Sequence, residues 1–299
     1  MVEDKLATVV VAVNSDPRIR RLLDSLLRQS APKDTFEVIV VENGSSQFAD
    51  LSSMSDRSVH YLRLDESNMA AARNLGLNAA KGKFLLLTDA DCVAQSDWIE
   101  RISNHLSKGP YAAVGGTIRK FEPKTWTQRY AITVVDGQAR LSYLPALPLP
   151  YVAGANAGFV TAALRRVGGF DERFKSGSDV DICYQLGLNG HKVGLAPDAI
   201  VFHEDRPTVL AHFSRFKHYA VYQVLLFAKY QSVSGRRFVF NTYPWKRLGR
   251  AFVTMPHALF DLVRGNTGRA ASSLLQVVEA VAVWCGDIEG SIRYRQMYL

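Results

Sequence analysis

Short apolar runs alternate with helical patterns along the first 90 residues, and this alternation limits the possible folds more than any other feature of the sequence. Two helical patterns stand out, one around Leu22, Leu23, Leu26 and Leu27 and one over residues 68–80. Strands that alternate with helices of this length predict βαβ units and a mostly parallel, Rossmann-like sheet flanked by helices. The predicted strands, each too short for a buried helix, are residues 7–13, 36–41, 59–64 and 84–87.

The pattern changes after about residue 115. Residues 179–188 are predicted to form a short helix, and residues 192–196 and 199–202 two short strands. The last 95 residues are predicted to be mainly helical.

The composition is that of a folded protein, with 47% hydrophobic and 21% charged side chains among 299 residues. The three cysteines are too few and too widely spaced for a disulfide framework or a structural zinc site, so a reducing cytosol is expected. No charge-free apolar run reaches the roughly 18 residues of a membrane span, and no signal peptide is expected.

The positive charge is concentrated near the end of the chain. The net charge is +8, and residues 204–299 carry 13 Lys/Arg against six Asp/Glu. Clustered cations attract anions, so this segment favours a partner such as a phosphate-bearing substrate, a lipid headgroup or nucleic acid.

Polar and acidic side chains follow the ends of three predicted strands. Asp89 and Asp91 come directly after the fourth strand, and Asn14 and Glu42 follow the first two. The carboxyl ends of parallel strands form the ligand edge of such sheets, and Mg²⁺ binds paired carboxylates there together with substrate phosphates. The alternative is a solvated loop, because Asp-x-Asp often occurs by chance.

Three further residues have both a functional and a structural interpretation. His203 ends the last predicted strand, where an imidazole suits a metal site or a cap. Asp179 and Asp181 begin a helix, where Asp is favoured as a cap, but a carboxylate facing the cleft would suit a catalytic base.

Several common catalytic motifs are absent from the sequence. There is no Walker pattern, no Gly-x-Gly-x-x-Gly after the first strand and no Gly-x-Ser-x-Gly. Their absence argues against a P-loop NTPase, a dinucleotide oxidoreductase and an α/β-hydrolase. A phosphate would have to be neutralised by a metal or by basic side chains.

An ordered set of motifs resembles the family 2 glycosyltransferases, which have the GT-A fold, use nucleotide-sugar donors and invert the anomeric centre. The resemblance spans about residues 7–204. The motifs are residues 8–14, residues 40–45, Asn68 with residues 72–76, Asp89-Ala90-Asp91, Gly154-Ala155-Asn156, residues 167–172, Asp179 with Asp181, and residues 197–203.

The resemblance implies a role for each matching position. Ala12 and Glu42 would line the nucleoside pocket with Asn14 beside them, and Arg73 would lie near the base and diphosphate. Gly154-Ala155-Asn156 would shape the sugar and acceptor side. Asp89 would sit by the ribose and the metal, Asp91 would bind the metal, His203 would complete the metal site, and Asp179 would be the catalytic base.

Two departures from the family pattern affect this site. Family members commonly have two Asp where this chain has Glu42-Asn43, which alters the nucleoside contact. They usually have Glu immediately before the base, whereas this chain has Ser178. The base carboxylate itself is retained.

The predicted function is that of an inverting glycosyltransferase, hexosyl- or N-acetylhexosaminyl-type, that uses a nucleotide-diphosphate sugar, most simply a UDP-sugar. Mn²⁺ or Mg²⁺ would be the cofactor, and a glycan, a lipid-linked molecule or a small molecule the acceptor. Residues 1–115 would bind the donor and 116–205 the acceptor, and 206–299 would form a basic helical extension.

Other functional classes remain as alternatives to this prediction. One is a non-catalytic protein of the same fold that binds an anionic or membrane surface, with Asn43 and Ser178 as signs of lost activity. A nucleic-acid partner, which would show a steep salt-dependent affinity, is not expected. The predicted location is cytoplasmic, with peripheral contact to the inner face of the membrane as an open question.

That question depends on residues 206–269, which hold 11 Lys/Arg, one acid and 12 aromatic residues. Aromatic and basic residues interleaved on helices suit a membrane surface or a lipid-pyrophosphate acceptor. The alternative, favoured for most of the rings, is a helical cap whose rings pack inside the protein.

Overall fold

The computed structural model describes residues 5–44, 59–130, 141–144, 147–265 and 267–298, which form two compact units. Unit 1 falls within residues 1–121, 135–143 and 149–203, and unit 2 within 122–134, 144–148 and 204–299. The three-part functional division at residues 115 and 205 stays a prediction.

Strands and helices alternate along the first 90 residues, as the sequence predicts. The strands are β1 (Lys5–Val13), β2 (Phe36–Asn43), β3 (Val59–Leu64), β4 (Gly82–Thr88), β5 (Cys92–Ala94), β6 (Tyr111–Lys120), β7 (Ser142–Leu144), β8 (Leu147–Tyr151), β9 (Asn156–Val160) and β10 (Lys192–His203). The helices of the chain are α1 (Ile19–Leu27), α2 (Met69–Ala79), α3 (Trp98–Lys108), α4 (Trp126–Tyr130), α5 (Thr161–Arg166), α6 (Ser178–Leu188), α7 (Val209–Ser234), α8 (Tyr243–Val263) and α9 (Gly268–Tyr294).

The central sheet has eight strands in the order β3-β2-β1-β4-β9-β6-β10-β5. The pairs β1–β2, β2–β3, β1–β4 and β6–β10 are parallel, whereas β9 and β5 are antiparallel to their neighbours. β7 and β8 form a separate two-stranded sheet. The mostly parallel α/β architecture predicted from the sequence is confirmed.

Both faces of the sheet are covered, which explains why its central strands are continuously apolar. In β1, Val9 and Val11 pack on one face with Leu22 and Leu26 of α1, while Val10 packs on the other with Leu77 of α2. All six side chains are at most 3% exposed.

The two strands predicted over residues 192–202 are one strand, β10. Its pairing with β6 shifts register between Ala196 and Ile200. Pro197, which has no amide hydrogen to donate, lies in this interval, and its carbonyl accepts a hydrogen bond from the Thr117 hydroxyl at 2.8 Å. The proline therefore makes an irregularity in the strand without ending it.

Unit 2 contains the long helices α7, α8 and α9, so the helical extension is also confirmed. One buried carboxylate joins them. Glu279 of α9 contacts His212 Nε2 of α7 at 2.9 Å and Arg247 Nε of α8 at 2.9 Å, and it accepts a hydrogen bond from Tyr243. A buried charge needs such partners, so this network fixes how the three helices pack.

Among the described helices, α9 is long and apolar enough to cross a membrane by length and composition alone. Half of the qualifying window is buried inside the structure, and Glu279 and Asp287 interrupt it with buried carboxylates. These features are equally those of a core helix.

Replacement of Asp287 by Asn is expected to stabilise the protein at pH 8. Burial raises the pKa of this carboxyl from 3.8 to about 7, despite a 2.8 Å hydrogen bond from Asn241. The folded state therefore holds a proton that the unfolded chain releases, and stability falls as the pH rises from about 4 to about 7. The shift corresponds to at most about 4 kcal/mol.

Urea unfolding at pH 5 and pH 8 measures this effect. Wild type is expected to lose stability between the two values, and Asp287→Asn to lose much less. Equal losses in both proteins would show that Asp287 does not titrate in this range.

Candidate active site

Two strand ends bring Asp89, Asp91 and His203 together. Asp89 follows β4, Asp91 immediately precedes β5, and His203 ends β10 directly opposite Cys92 in the antiparallel β5–β10 pair. One ligand atom from each of the three lies within 4.8 Å of the others, and His203 Nε2 is 3.5 Å from Asp91 Oδ1. This is the cluster for which the sequence predicts a metal.

The cluster carries concentrated negative charge with little access to water. Burial raises the pKa of Asp89 and the Asp91 carboxylate raises it further, while Arg73 and His203 lower it. Two oxygen donors and an imidazole nitrogen in this arrangement fit a divalent cation such as Mn²⁺ or Mg²⁺.

Arg18 also reaches this cluster, which sequence reasoning missed. Its Nη2 atom lies 3.6 Å from Asp91 Oδ2 and 2.6 Å from Asp16 Oδ2. Arg18 lies immediately before α1, which begins at Ile19. The position of Asp16-x-Arg18 just after β1 was the available signal, because that strand end lies at the ligand edge of the sheet.

Asp179 lies in the first turn of α6. Its Oδ2 atom accepts a hydrogen bond from the Gly154 amide at 2.7 Å, and its side chain is partly exposed. The Asp179 carboxylate also raises the pKa of Asp89, so the two acids are electrostatic neighbours. Gly177, just before α6, has φ +74°, a conformation that favours glycine and lets the chain turn into the helix here.

Arg73 joins the two halves of the site from α2. Its buried guanidinium donates from Nη1 to the Ser178 hydroxyl at 2.9 Å. A Cβ atom on Gly154 would lie 2.5 Å from Arg73 Nη2, so the chain passes this side chain closely at a glycine. Ser178, one of the two departures from the family pattern, gives Arg73 a neutral hydrogen-bond acceptor.

The predicted nucleoside residues lie at the ends of β1 and β2. Val13 is paired with Glu42, which places Ala12, Asn14 and Glu42 at one edge of the sheet. Glu42 is half-buried and Asn14 is exposed, with its amide donating to Ser67 Oγ at 3.1 Å. A nucleoside contact for these residues stays a prediction.

Asn43, the second departure from the family pattern, has a structural contact. Its Oδ1 atom accepts a hydrogen bond from the Asn68 amide at 2.7 Å, and Asn68 in turn caps α2 by accepting from the amides of Ala70 and Ala71. Asn43 therefore helps to fix the start of the helix that carries Arg73. Ser45, the last residue of this motif, lies outside the described residues.

Asn156, predicted on the sugar and acceptor side, is buried and fully hydrogen-bonded. Its Nδ2 atom donates to the Thr117 and Ala199 carbonyls, each at 2.9 Å, and its Oδ1 accepts from the Trp98 indole at 2.8 Å. These bonds tie β9 to β6, β10 and α3, which is a structural role. A contact of Asn156 with the sugar or the acceptor stays a prediction.

Replacement of Asn156 by Ala is expected to cost about 3 kcal/mol or more, because it leaves a buried indole N–H and two carbonyls without these partners. Asn189→Ala is the control, since exposed Asn189 makes only one such bond, to the Gln185 carbonyl, and is expected to lose less than about 0.5 kcal/mol. Urea unfolding measures both. Equal midpoints for the two variants would contradict the role given to Asn156.

Comparison with known proteins gives a consistent result. The family model described as "Glycosyl transferase family 2" matches residues 8–168. The "Pre-mycofactocin glycosyltransferase" of Mycobacterium tuberculosis is 32% identical over 67% of this chain, and the match covers 43% of that protein, less than half of its length. "Glycosyltransferase AglE" of Haloferax volcanii is 27% identical, with 94% of this chain and 91% of the relative covered.

A solved structure has a similar fold. It is the mannosyltransferase PcManGT from Pyrobaculum calidifontis, in complex with GDP-Man and Mn²⁺. The TM-score is 0.61 at 16% identity, covering 96% of this chain and 88% of that one. At this identity the likeness is evidence of a common fold.

Proposed function

The chain belongs to glycosyltransferase family 2, and on this premise we propose that it transfers a sugar from a nucleotide-diphosphate donor to an acceptor hydroxyl with inversion at the anomeric carbon. The observation that carries the proposal is the arrangement of Asp89, Asp91 and His203 within reach of one cation, with Asp179 as their electrostatic neighbour. The cluster of Asp89, Asp91 and His203 suits a diphosphate leaving group. Asp179 suits an acceptor hydroxyl that must lose a proton.

Asp89, Asp91 and His203 would hold Mn²⁺ or Mg²⁺. A divalent cation there supplies positive charge against which the diphosphate leaves without a proton donor. Arg73 lies close enough to lower the pKa of Asp89. Its guanidinium, which Ser178 positions without neutralising, adds a second positive charge beside the diphosphate.

Asp179 is the proposed general base. The Gly154 amide orients its carboxylate, which takes the proton from the acceptor hydroxyl as the hydroxyl oxygen bonds to the anomeric carbon. The bond to the diphosphate oxygen breaks in the same displacement, on the opposite side of that carbon. A single displacement of this kind inverts the configuration.

The donor and acceptor classes are also proposals. We propose a UDP-hexose or UDP-N-acetylhexosamine, with GDP- and dTDP-sugars as the alternatives. Because the similar mannosyltransferase structure holds GDP-Man, any screen of donors must include GDP and GDP-sugars. The acceptor is a glycan, a lipid-linked molecule or a small molecule, and the proposed location is the cytoplasm, including the inner face of the membrane.

A thermal-shift screen tests the donor site. UDP, GDP and dTDP are each added with Mn²⁺, with Mg²⁺ and with EDTA. One nucleotide is expected to raise the melting temperature only with metal, since a ligand at 100 times its Kd adds about 2.7 kcal/mol of stability. Failure of every nucleotide to stabilise the protein would contradict the proposal. Metal-dependent binding with no release of nucleotide from any sugar donor would favour a non-catalytic protein.

A further inference from the structure

The aromatic side chains of residues 206–269 differ in exposure from one element to the next. On α7 most of them form part of the core, with Phe216, Tyr222, Phe227 and Tyr230 all at most 5% exposed, although Tyr219 is 42% exposed. Phe238 and Phe240, between α7 and α8, are 61% and 60% exposed. On α8 the large apolar side chains point outward. The exposed residues of α8 include Trp245, Phe252, Val253, Leu259, Phe260 and Val263, and Phe252 and Val263 are 82% and 89% exposed.

The residues of α8 divide into three sectors around the helix axis. At about 100° per residue from Ala251, the buried Pro244, Arg247 and Ala258 lie within about 40° of it. The exposed apolar residues named above lie between about 80° and 200°, while the less exposed Met255 and Leu262 lie at about 40° and 20°, on the side of the buried residues. The exposed cations Lys246 and Arg250, together with Arg264 just after the end of the helix, follow between about 220° and 260°.

Contacts with α9 fix the rotation of α8 and hence the direction of these sectors. Arg247 Nε lies 2.9 Å from the buried Glu279 carboxylate, and the Thr254 hydroxyl lies 2.7 Å from that of Ser273. Trp245, near the start of α8, also packs edge-on against Trp284 of α9, with 5.0 Å between the ring centroids, and stays 53% exposed. These contacts hold the apolar sector from Phe252 to Val263 on the outside of unit 2. Contiguous exposed apolar surface of this kind marks an interaction site.

The charges beside the apolar sector favour an anionic membrane over a second copy of the chain. The single acid of α8, Asp261, is paired with Arg269 at 3.3 Å, which leaves the row of cations without an acidic counterpart on the helix. Two copies meeting face to face would bring like charges together. An anionic bilayer offers an apolar boundary for the rings and headgroups for the cations.

We propose that α8, and not α7, is the membrane-contacting element of this protein, lying in the plane of an anionic bilayer surface with its apolar sector among the acyl chains. This inference goes beyond glycosyl transfer and does not depend on it. The sequence indicated membrane contact somewhere in residues 206–269, and the proposal assigns that contact to Tyr243–Val263.

Vesicle flotation of the full chain tests this proposal. The vesicles contain phosphatidylcholine with about one-third phosphatidylglycerol, at low and high salt. Phe252→Ser/Phe260→Ser is expected to lower the partition coefficient about tenfold or more, because both rings leave the interface. The matched control, Leu188→Ser/Leu210→Ser, removes two exposed apolar side chains elsewhere and is expected to change it less than about twofold.

The charge contribution has its own variant. Lys246→Gln/Arg250→Gln is expected to lower binding about tenfold at low salt and little at high salt. The proposal would be overturned if the wild-type protein did not float with the vesicles at low salt. It would also be overturned if Phe252→Ser/Phe260→Ser and Leu188→Ser/Leu210→Ser floated equally well. So would a wild-type dimer in light scattering that becomes monomeric in Phe252→Ser/Phe260→Ser with flotation unchanged. Metal-dependent nucleotide stabilisation is expected to survive in every variant, which separates this test from that of the donor site.

Discussion

Replacement of Asp91 by Ala is expected to abolish metal-dependent binding of a nucleoside diphosphate and to reduce sugar transfer by at least about 10³-fold. Asp91 supplies one of three ligands in the proposed site, and its Oδ1 atom is 3.5 Å from His203 Nε2. A metal typically supplies several kcal/mol of stabilisation to the charge of a leaving group, and about 4 kcal/mol corresponds to 10³ in rate.

The fold of this variant is expected to survive. The Asp91 carboxylate raises the pKa of Asp89, so its removal relieves repulsion between two poorly solvated acids. Asp24→Ala is the control, because Asp24 is a half-exposed carboxylate on α1 with only a 3.9 Å pair to Arg28. Calorimetry with Mn²⁺ and the nucleotide compares the two. Unchanged Mn²⁺-dependent affinity in Asp91→Ala would remove this residue from the metal site.

Replacement of Asp179 by Asn is expected to reduce kcat by about 10² to 10⁴, the usual contribution of a general base. Donor binding is expected to persist, because Asn keeps an oxygen that accepts the Gly154 amide and the same side-chain size. The measurement pairs kcat with the donor Kd, and the loss is expected in kcat alone.

Asp181 is the control for this assignment. It lies two residues further along α6, is fully buried and accepts a hydrogen bond from Gln185 Nε2 at 2.7 Å. Asp181→Asn is therefore expected to lose stability and keep turnover. Near-normal turnover in Asp179→Asn, or loss of chemistry in Asp181→Asn with stability unchanged, would place the base elsewhere.

The parts of the fold that the sequence predicted best are those in which local pattern and burial agree. β3 has the predicted bounds, and α2 lies within residues 68–80, with Asn68 as its cap. The predicted strands β1, β2 and β4 are present because their continuous apolar runs match a sheet covered on both faces, and β3, at the edge of the sheet, mixes polar and apolar residues. Cues of this kind are local, so a single sequence is enough to find them.

Features that depend on distant partners were harder to predict. β9 (Asn156–Val160) has only five residues, one of which is Gly158, so its local pattern is weak. Its place between β4 and β6 depends on pairing with strands that are distant in the sequence. β10 was predicted as two strands, because the sequence does not show that β6 pairs with the residues on both sides of Pro197. Pro256 lies inside α8 without ending it, on the exposed side of the helix.

The site shows the same division. Asp89, Asp91 and His203 were identified because each follows or ends a strand, and strand ends meet at one edge. The side-chain network behind them depends on three-dimensional contacts: Arg73 with Ser178, Asp179 with Gly154, and Arg18 with Asp91. The rings on α8 are exposed because only a narrow face of that helix, with Pro244, Arg247, Ala251 and Ala258, is buried. Composition alone does not show which face is buried.

The central claim is metal-assisted, inverting sugar transfer at the Asp89, Asp91, His203 and Asp179 site. The most direct measurement is a ¹H NMR time course of the purified protein with the nucleotide sugar that stabilises it and a candidate acceptor, with Mn²⁺ and with EDTA. With Mn²⁺, the nucleoside diphosphate is expected to appear together with a product of opposite anomeric configuration, and with EDTA neither is expected. Transfer with retained configuration, or equal transfer in EDTA, would contradict this mechanism.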